Sequence, residues 1–466
     1  MLLHKAERTA FFMASNRTKD MTVGNPTKLI LLFSIPLLIG NIFQQLYNMV
    51  DTIIVGRCID TDALAAVGLT GPMSFLVIGF VSGLTSGFAV LVAQHFGAKD
   101  EEGMRHCVGI IIILSVLVTI GVTALAVGFT RPLLRLINTP DNVFEQSYQY
   151  IVTIFLGIGA TVLYNVLACI LRALGDSKTP LYFLMISSVL NIGLDFLFIM
   201  QFGLGVRGAA LATVLSQGVS GVLCFIYIRW KFPILHLSRK DFCWDKKLAL
   251  KHLSIGLPMA FQFSITAIGV IVLQGALNLF GSEKIAAYTA ASKVEQLVSQ
   301  PAGTFGVTMA NYAGQNLGAG RVDRVRKGVR QATILTLCFA VFGMLVMTLL
   351  GSQLTKLFIE GEDIAQVEGI LAASKQYLRI VAAFFPFLFV IFIYRNALQG
   401  IGHSLMPLMG GVIELVVRCI AAVTLPGMFG FTGVCLAGPF AWVSAAVLLG
   451  ISYFIIIRKV ERQYSK

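Results

Sequence analysis

Twelve long apolar stretches constrain the fold of this chain more than any other feature of the sequence. A helix needs about 20 mostly apolar residues to cross the hydrocarbon core of a bilayer. The stretches are residues 28–50, 64–94, 107–129, 147–172, 180–201, 208–230, 249–280, 285–311, 329–351, 375–400, 406–428 and 432–458. Only 13% of the residues are charged, well below the roughly 25% of a soluble domain. We therefore predict an all-α polytopic membrane protein with twelve transmembrane helices.

Lysine and arginine residues in the predicted loops fall mainly on one side of the membrane. Cytoplasmic loops carry an excess of these residues, so both termini and the 229–251 loop are predicted to be cytoplasmic. The net charge of +13 then reflects orientation and gives no reason to expect a nucleic-acid partner. We expect a multi-pass protein of the cell inner (plasma) membrane.

The sequence repeats itself at a nearly constant interval. Leu64-Ala65-Ala66-Val67 matches Ile285-Ala286-Ala287-Tyr288, a shift of 221 residues. The stretch 171–180, LRALGDSKTP, matches 398–407, LQGIGHSLMP, at a shift of 227. These matches predict two six-helix lobes related by internal duplication, an arrangement common in secondary transporters.

The duplication and the loop pattern together predict the domain boundaries. They are a cytoplasmic N-terminal tail at 1–24, which we expect to be disordered, an N-lobe at 25–230, a cytoplasmic linker at 231–248, a C-lobe at 249–458 and a C-terminal tail at 459–466.

Several common enzyme signatures are absent from the sequence. It contains no GxxxxGK[ST] phosphate-binding loop, no HExxH and no GxSxG. The eight cysteines form no CxxC pair, so no zinc site is indicated. We predict a protein that is not an enzyme and that needs no cofactor.

A polar stripe leads to the first acidic residue of the predicted membrane interior. Asn41, Gln44, Asn48 and Asp51 lie on one helix face at spacings of three and four. Lipid does not tolerate such a stripe, so a water-filled cavity is the favoured interpretation. The alternative is that Asp51 ends the first helix at the outer water boundary and only caps it.

The sequence NIGLDFLFI places Asn191 and Asp195 on one face of the fifth predicted helix. An ionisable residue at bilayer depth is by default a functional-site hypothesis. Carboxylate and amide oxygens are hard ligands that suit Na+, and a carboxylate also accepts a proton. The alternative is an interhelical hydrogen bond that only holds the bundle together.

The second half carries different charged residues. Under the 227-residue shift, Asn191 corresponds to Arg418, and Ser187 corresponds to Glu414. Glu414 and Arg418 are four residues apart and can neutralise each other, as a gate or as a structural pair. Glu295 either pairs with a lysine or meets a cationic substrate. We therefore predict one coupling-ion site, in the first half.

Four stretches resemble the multidrug and toxic compound extrusion (MATE) family, and most closely its MepA-like bacterial branch. They are IPLLIGNIFQQLYNMVDTIIVGR, LRALGDSKTP, NIGLDFLFI and AAYTAASKVEQLVSQPAGTFG. The resemblance runs from about residue 25 to the C-terminus. It implies two six-helix lobes that export organic, often cationic, compounds in exchange for H+ or Na+.

The resemblance also implies roles for particular residues. The family's cation-coupling positions match Asp51, Asn191, Asp195 and Thr213, which would hold Na+ if that is the coupling ion. Polar residues that face the family's drug cavity match Gln44 and Asn165, and we add Asn48 and Glu295 to this predicted cavity. The seventh-helix glutamate of the NorM-like branch aligns with Thr266, so we expect no cation site of that kind in the C-lobe.

The sequence thus predicts a secondary active multidrug efflux transporter that works by rocking of two lobes. We expect a monomer in the lipid bilayer that binds small organic substrates. The alternative within the wider superfamily is a flippase for a lipid-linked precursor, which needs a strongly basic cavity. The alternative from another class is a non-transporting membrane receptor or a membrane-embedded enzyme.

Overall fold

The computed structural model describes residues 20–359 and 364–464. Most of the predicted N-terminal tail lies outside the described residues. The α-helices, in chain order, are α1 (Pro26–Cys58), α2 (Thr61–Ala98), α3 (Glu101–Leu136), α4 (Asp141–Leu156), α5 (Ile158–Ala173), α6 (Lys178–Asp195), α7 (Gly205–Lys231), α8 (Lys246–Leu277), α9 (Gly281–Gly318), α10 (Val322–Leu349), α11 (Gly351–Lys356), α12 (Ile364–Gly400), α13 (Leu405–Phe429) and α14 (Phe431–Tyr464). A π-helical turn covers Phe196–Gln201, and 3-10 turns cover Pro233–Leu235, Arg239–Phe242 and Asn278–Phe280.

Eight of the twelve predicted spans fall within single helices. The other four, 147–172, 180–201, 249–280 and 329–351, each cross a break or pass a helix end. Of the described residues, ten helical stretches are long and apolar enough to cross a membrane, or eleven if the bent pair α4 and α5 counts as one. One of them, Lys246–Gly318, contains both α8 and α9. Counted separately, α8 and α9 bring the spans to the predicted twelve.

The fourth span is broken at Gly157. Helices α4 and α5 meet there at an angle of 45°. A Cβ atom at this glycine would lie 2.1 Å from Cγ2 of Val214 on α7. The absence of a side chain at Gly157 therefore lets Val214 of α7 approach the backbone, which a larger residue would prevent.

The internal duplication is confirmed by matching hydrogen bonds in the two halves. The Ser147 hydroxyl donates to the Ala66 carbonyl at 3.3 Å, and the Ser374 hydroxyl donates to the Ala287 carbonyl at 3.1 Å. These residues correspond under the shifts of 221 and 227. The turns after α5 and α12 match as well, with a glycine of left-handed φ at +87° in Gly175 and +86° in Gly402.

The described chain divides into two compact units. Unit 1 contains Leu32–Phe263, and unit 2 contains Gly24–Leu31 and the residues from Ser264 onward. The division falls inside α8. The start of α1 belongs with unit 2, where Arg324 donates a hydrogen bond to the Gly24 carbonyl at 3.0 Å.

Small residues bring α2 and α8 close together within unit 1. A Cβ atom on Gly87 would lie 2.4 Å from Cα of Gly256, and one on Gly83 would lie 2.6 Å from the Met259 carbonyl oxygen. Backbones approach this closely only where side chains are absent. The contact fixes the first part of α8 against unit 1.

Candidate functional site

The candidate site of unit 1 is built by α1 and the end of α6. The alternative that Asp51 ends the first helix and only caps it is wrong, because α1 continues to Cys58. Asp195 is the last residue of α6 and directly precedes the π-helical turn Phe196–Gln201. Such turns inside helices are frequent at functional sites, because they redirect the backbone and the side chains next to it.

Two carboxyl groups meet at this position. Asp51 is 9% exposed, and Asp195 is fully buried. Their side chains lie within hydrogen-bonding distance of each other. Two adjacent buried carboxylates do not both stay charged unless a cation lies between them, so such pairs commonly share a proton. The geometry therefore suits one shared proton or one bound cation.

Asn191 and Thr213 extend the cluster. Asn191 is fully buried, and its Nδ2 donates to Oγ1 of Thr213 over a long 3.5 Å. The Thr213 hydroxyl donates in turn to the Ala209 carbonyl at 3.1 Å, one helical turn earlier on α7. The structure therefore brings together the four residues predicted for cation coupling.

Two tyrosines of this cluster were missed in the sequence. The Tyr47 side chain hydrogen-bonds to Thr213 and lies near both aspartates. Tyr150, on α4, lies close to Tyr47 and to both aspartates. Tyr47 precedes Asp51 by four residues, so the helical repeat places it on the face that carries Asp51. This spacing could have identified Tyr47 from the sequence.

The predicted cavity residues of unit 1 lie in different surroundings. Gln44 and Asn48 are exposed on α1, whereas Asp51 on the same stripe is buried. Asn165 is half-buried on α5 and donates a hydrogen bond to the Ser82 hydroxyl on α2 at 3.1 Å.

In unit 2, Glu295 pairs with a tyrosine. The Tyr377 hydroxyl donates to Oε2 of Glu295 at 2.5 Å, and the Tyr377 ring meets the Tyr288 ring edge-on at 5.0 Å. Among the described residues, no lysine forms an ion pair with Glu295. The ammonium group of Lys293 lies instead 5.6 Å from the centre of the Phe358 ring.

The predicted pair of Glu414 and Arg418 is part of a three-residue cluster. Nη2 of Arg418 donates to Oε1 of Glu414 at 2.7 Å, and Nη2 of Arg395 donates to Oε2 at 3.1 Å. All three side chains are at most 13% exposed. Nε of each arginine has no hydrogen-bond partner among the residues that the structure describes. Sequence reasoning did not predict that Arg395 joins this pair.

Two residues of the acidic site in unit 1 have counterparts near the charged residues of unit 2 under the internal repeat. Tyr150 of unit 1 corresponds to Tyr377 of unit 2, and Asn191 corresponds to Arg418. Unit 2 therefore has a permanently charged guanidinium group where unit 1 has the amide of its acidic site.

Metal ligation of the usual kind is not seen in the described part of the chain. Within residues 20–359 and 364–464, no three His, Cys, Asp or Glu side chains form a group that could hold a metal ion. A cation at Asp51 and Asp195 would therefore draw its remaining ligands from the neighbouring hydroxyl and amide oxygens.

Comparisons with known proteins agree with this architecture. The MatE family model matches residues 36–197 and 255–424. The chain is 30% identical to the probable multidrug resistance protein YpnP of Bacillus subtilis, over 85% of this chain and 87% of that protein. It is 23% identical to the multidrug export protein MepA of Staphylococcus saprophyticus, over 86% of this chain and 88% of that protein.

A solved structure shares the fold over nearly the whole chain. It is an outward-facing conformation of a multidrug resistance MATE family transporter of the MOP superfamily. The TM-score is 0.87 at 26% identity, covering 96% of this chain and 99% of that one. On the family match and these relatives, the chain belongs to the MATE family of membrane transporters.

Proposed function

We propose that this protein exports organic, often cationic, compounds in exchange for H+ or Na+. The observation that carries the proposal is the contact between the buried carboxyl groups of Asp51 and Asp195. A lone hydrogen bond that merely joins two helices does not need two acids. Two adjacent acids are instead suited to a site that takes up and releases a cation.

Charge repulsion supplies the coupling in this mechanism. When the site holds a proton or Na+, the two carboxyl groups stay together and α1 stays against α6. When the cation leaves, two negative charges remain, and at about 4 Å they repel by about 4 kcal/mol at an effective dielectric constant of about 20. That free energy changes a two-state equilibrium by roughly a thousandfold. It is sufficient to alter the packing of α1 and drive a transition between conformations.

Both ions fit the chemistry of the site. The oxygen donors of Asp51, Asp195, Asn191 and Thr213 are hard ligands that suit Na+. The direct contact between the carboxyl groups equally suits a shared proton. The membrane potential adds about 2.3 kcal/mol per charge for each 100 mV, so one ion per cycle supports a substantial substrate gradient.

We propose substrate-binding groups for each unit separately. Gln44 and Asn48 are exposed on α1 and can hydrogen-bond to a substrate. Asn165 belongs to the same predicted set. In unit 2, Glu295 offers a carboxylate to an organic cation, with Tyr288 and Tyr377 beside it. Aromatic faces next to a carboxylate are a favourable surrounding for such cations.

A flippase for a lipid-linked precursor is less well supported. It would need basic residues that are available to a phosphate group. In unit 2, Arg395 and Arg418 are both held by Glu414.

We also propose that the protein works as a monomer in the plasma membrane, with both termini cytoplasmic.

Efflux from proteoliposomes tests the proposed function. The purified chain is reconstituted with ethidium inside the vesicles, and an inward H+ gradient or an inward Na+ gradient is imposed separately. We expect at least one gradient to accelerate ethidium loss relative to protein-free vesicles. No acceleration by either gradient, with ethidium and with a second organic cation, would contradict ion-coupled export and favour the receptor or enzyme alternative.

A further inference from the structure

A cavity that the transport mechanism does not use lies in unit 1. It has a volume of about 290 Å³ and lies between α3, α5, the end of α7 and the segment that follows α7. Its lining residues are apolar except for Arg229. The walls include Ile112, Ile170, Phe225, Arg229, Leu237 and Phe242.

The cavity continues an exposed apolar face of α7. Leu215, Val219, Val222 and Phe225 are spaced by three or four residues and are 38–55% exposed. In a membrane-spanning helix such a face contacts lipid. Phe225 belongs both to this face and to the cavity wall, so the cavity is adjacent to the acyl-chain region. Its volume lies near the lower end of the range for small-ligand pockets, about 300–1,000 Å³.

The other end of the cavity has the features of a membrane–water interface. Trp230 and Trp244 are 74% and 55% exposed, and tryptophan is enriched at the headgroup level. Lys231 lies over the Trp230 ring at 3.8 Å. Residues 229–251 contain seven Lys or Arg and two acids, Asp241 and Asp245.

Those two acids are occupied locally. Asp241 accepts hydrogen bonds from the backbone and hydroxyl of Ser238. Asp245 accepts from the first backbone N–H groups of α8. Arg229 has no carboxylate partner among the ion pairs of the described residues. The interfacial end of the cavity is therefore positive and suits an anionic headgroup.

We propose that this cavity binds one anionic phospholipid, with an acyl chain between α3, α5 and α7 and the phosphate at Arg229. Basic pockets between helices on the cytoplasmic side bind anionic headgroups by this combination of charge and apolar volume. The lipid also contacts Leu237 and Phe242, which belong to the segment between α7 and α8. That segment rests on α3, where a Cβ atom on Gly109 would lie 2.0 Å from the Asp241 carbonyl oxygen. Lipid binding therefore holds this connecting segment in place.

Tryptophan quenching by brominated lipids tests the proposal. Trp244→Phe and Trp442→Phe leave Trp230, next to Arg229, as the single tryptophan. The protein is placed in phosphatidylcholine vesicles that contain an equal fraction of brominated phosphatidylglycerol or of brominated phosphatidylcholine. We expect the anionic lipid to quench with about fivefold preference, the enrichment that one basic residue gives at an anionic surface.

Three variants in this background separate the cavity from general surface charge. Arg229→Gln should abolish the preference, and Lys246→Gln, the same charge change outside the cavity, should keep it. Ile112→Phe fills the cavity and should reduce quenching by the anionic lipid to that of phosphatidylcholine. Equal quenching by both lipids in the parent protein, or equal loss in Arg229→Gln and Lys246→Gln, would overturn the proposal. Because Arg229 is exposed, its substitution remains informative even if phenylalanine at position 112 disturbs folding.

Discussion

Asp195→Asn is expected to reduce ion-driven efflux at least about tenfold while the protein still inserts and folds. Asparagine keeps the volume and the hydrogen bonding of a protonated aspartic acid, but it cannot lose a proton or carry the charge that binds Na+. The carboxyl pair with Asp51 then has only one titratable member. No repulsion between two charges develops when the cation leaves, so the conformational step loses its driving force.

The measurement is ethidium efflux from proteoliposomes under whichever gradient drives the wild type. Asp62→Asn is the matched control, since Asp62 is an exposed aspartate in the same unit. It should retain wild-type efflux. Wild-type coupling in Asp195→Asn would refute the role of Asp195, and an equal loss in Asp62→Asn would show that the effect is not specific to the site.

Glu414→Gln is expected to destabilise the protein strongly. The Glu414 carboxylate accepts hydrogen bonds from both Arg395 and Arg418. Neutralising it leaves two buried guanidinium groups without their shared counter-ion. Removing one partner of a buried ion pair costs about 3–5 kcal/mol. We expect a lower apparent melting temperature in detergent, taken as the temperature at which heating removes half of the monodisperse size-exclusion peak. Glu368→Gln, at an exposed acid of the same unit, should show no such loss.

Replacing the whole cluster distinguishes a gate from a structural pair. Well-packed apolar residues often replace a buried ionic cluster at little or no cost in stability. The variant Arg395→Met, Glu414→Met, Arg418→Met should therefore regain most of the stability that Glu414→Gln loses. If it also transports like the wild type, the cluster is structural, and if it is stable but inactive, the cluster is a gate. Wild-type stability of Glu414→Gln would contradict the charge argument itself.

The helices of this protein follow from hydropathy, but the end of α1 does not. Residues 51–58 include Asp51 and Arg57 and are less apolar than the preceding stretch. A hydropathy criterion therefore ends the helix at residue 50. The helix continues because each added residue gains a backbone hydrogen bond once the helix exists. Arg57 in the last turn also has a favourable interaction with the helix dipole.

The candidate site was predictable where its residues share a helix. The four-residue spacing of Asn191 and Asp195 was visible in the sequence, and so was that of Glu414 and Arg418. Contacts between helices were not, because a hydropathy pattern contains no information on which faces meet. Tyr150 joins the Asp51 cluster, and Arg395 joins Glu414, through tertiary packing of this kind. The internal repeat pairs Tyr150 with Tyr377, but only the structure shows that each tyrosine lies near a carboxyl group.

The repeat also explains why the two units differ. Tyr150 and Tyr377 occupy corresponding positions, but the acids near them do not, and Arg418 of unit 2 stands where unit 1 has Asn191. We therefore propose that, among the described residues, the carboxyl pair of unit 1 is the one whose charge changes with the coupling ion. Ion coupling is expected to depend on Asp51 and Asp195. Helix α8 contains no acidic residue, so we expect no second coupling site there.

The most direct test of this account is the effect of pH and Na+ on substrate affinity. In an exchanger the coupling ion and the substrate oppose each other's binding, and this effect is reciprocal in free energy. The coupling ion should therefore weaken ethidium binding to the detergent-purified protein. The affinity is measured by fluorescence over a range of pH and of Na+ concentration, for the wild type and for Asp51→Asn, Asp195→Asn. We predict that H+ or Na+ lowers the affinity of the wild type and has no effect on that of the double variant. An ion effect that persists unchanged in the double variant, or that is missing from the wild type, would contradict coupling through the Asp51 and Asp195 pair.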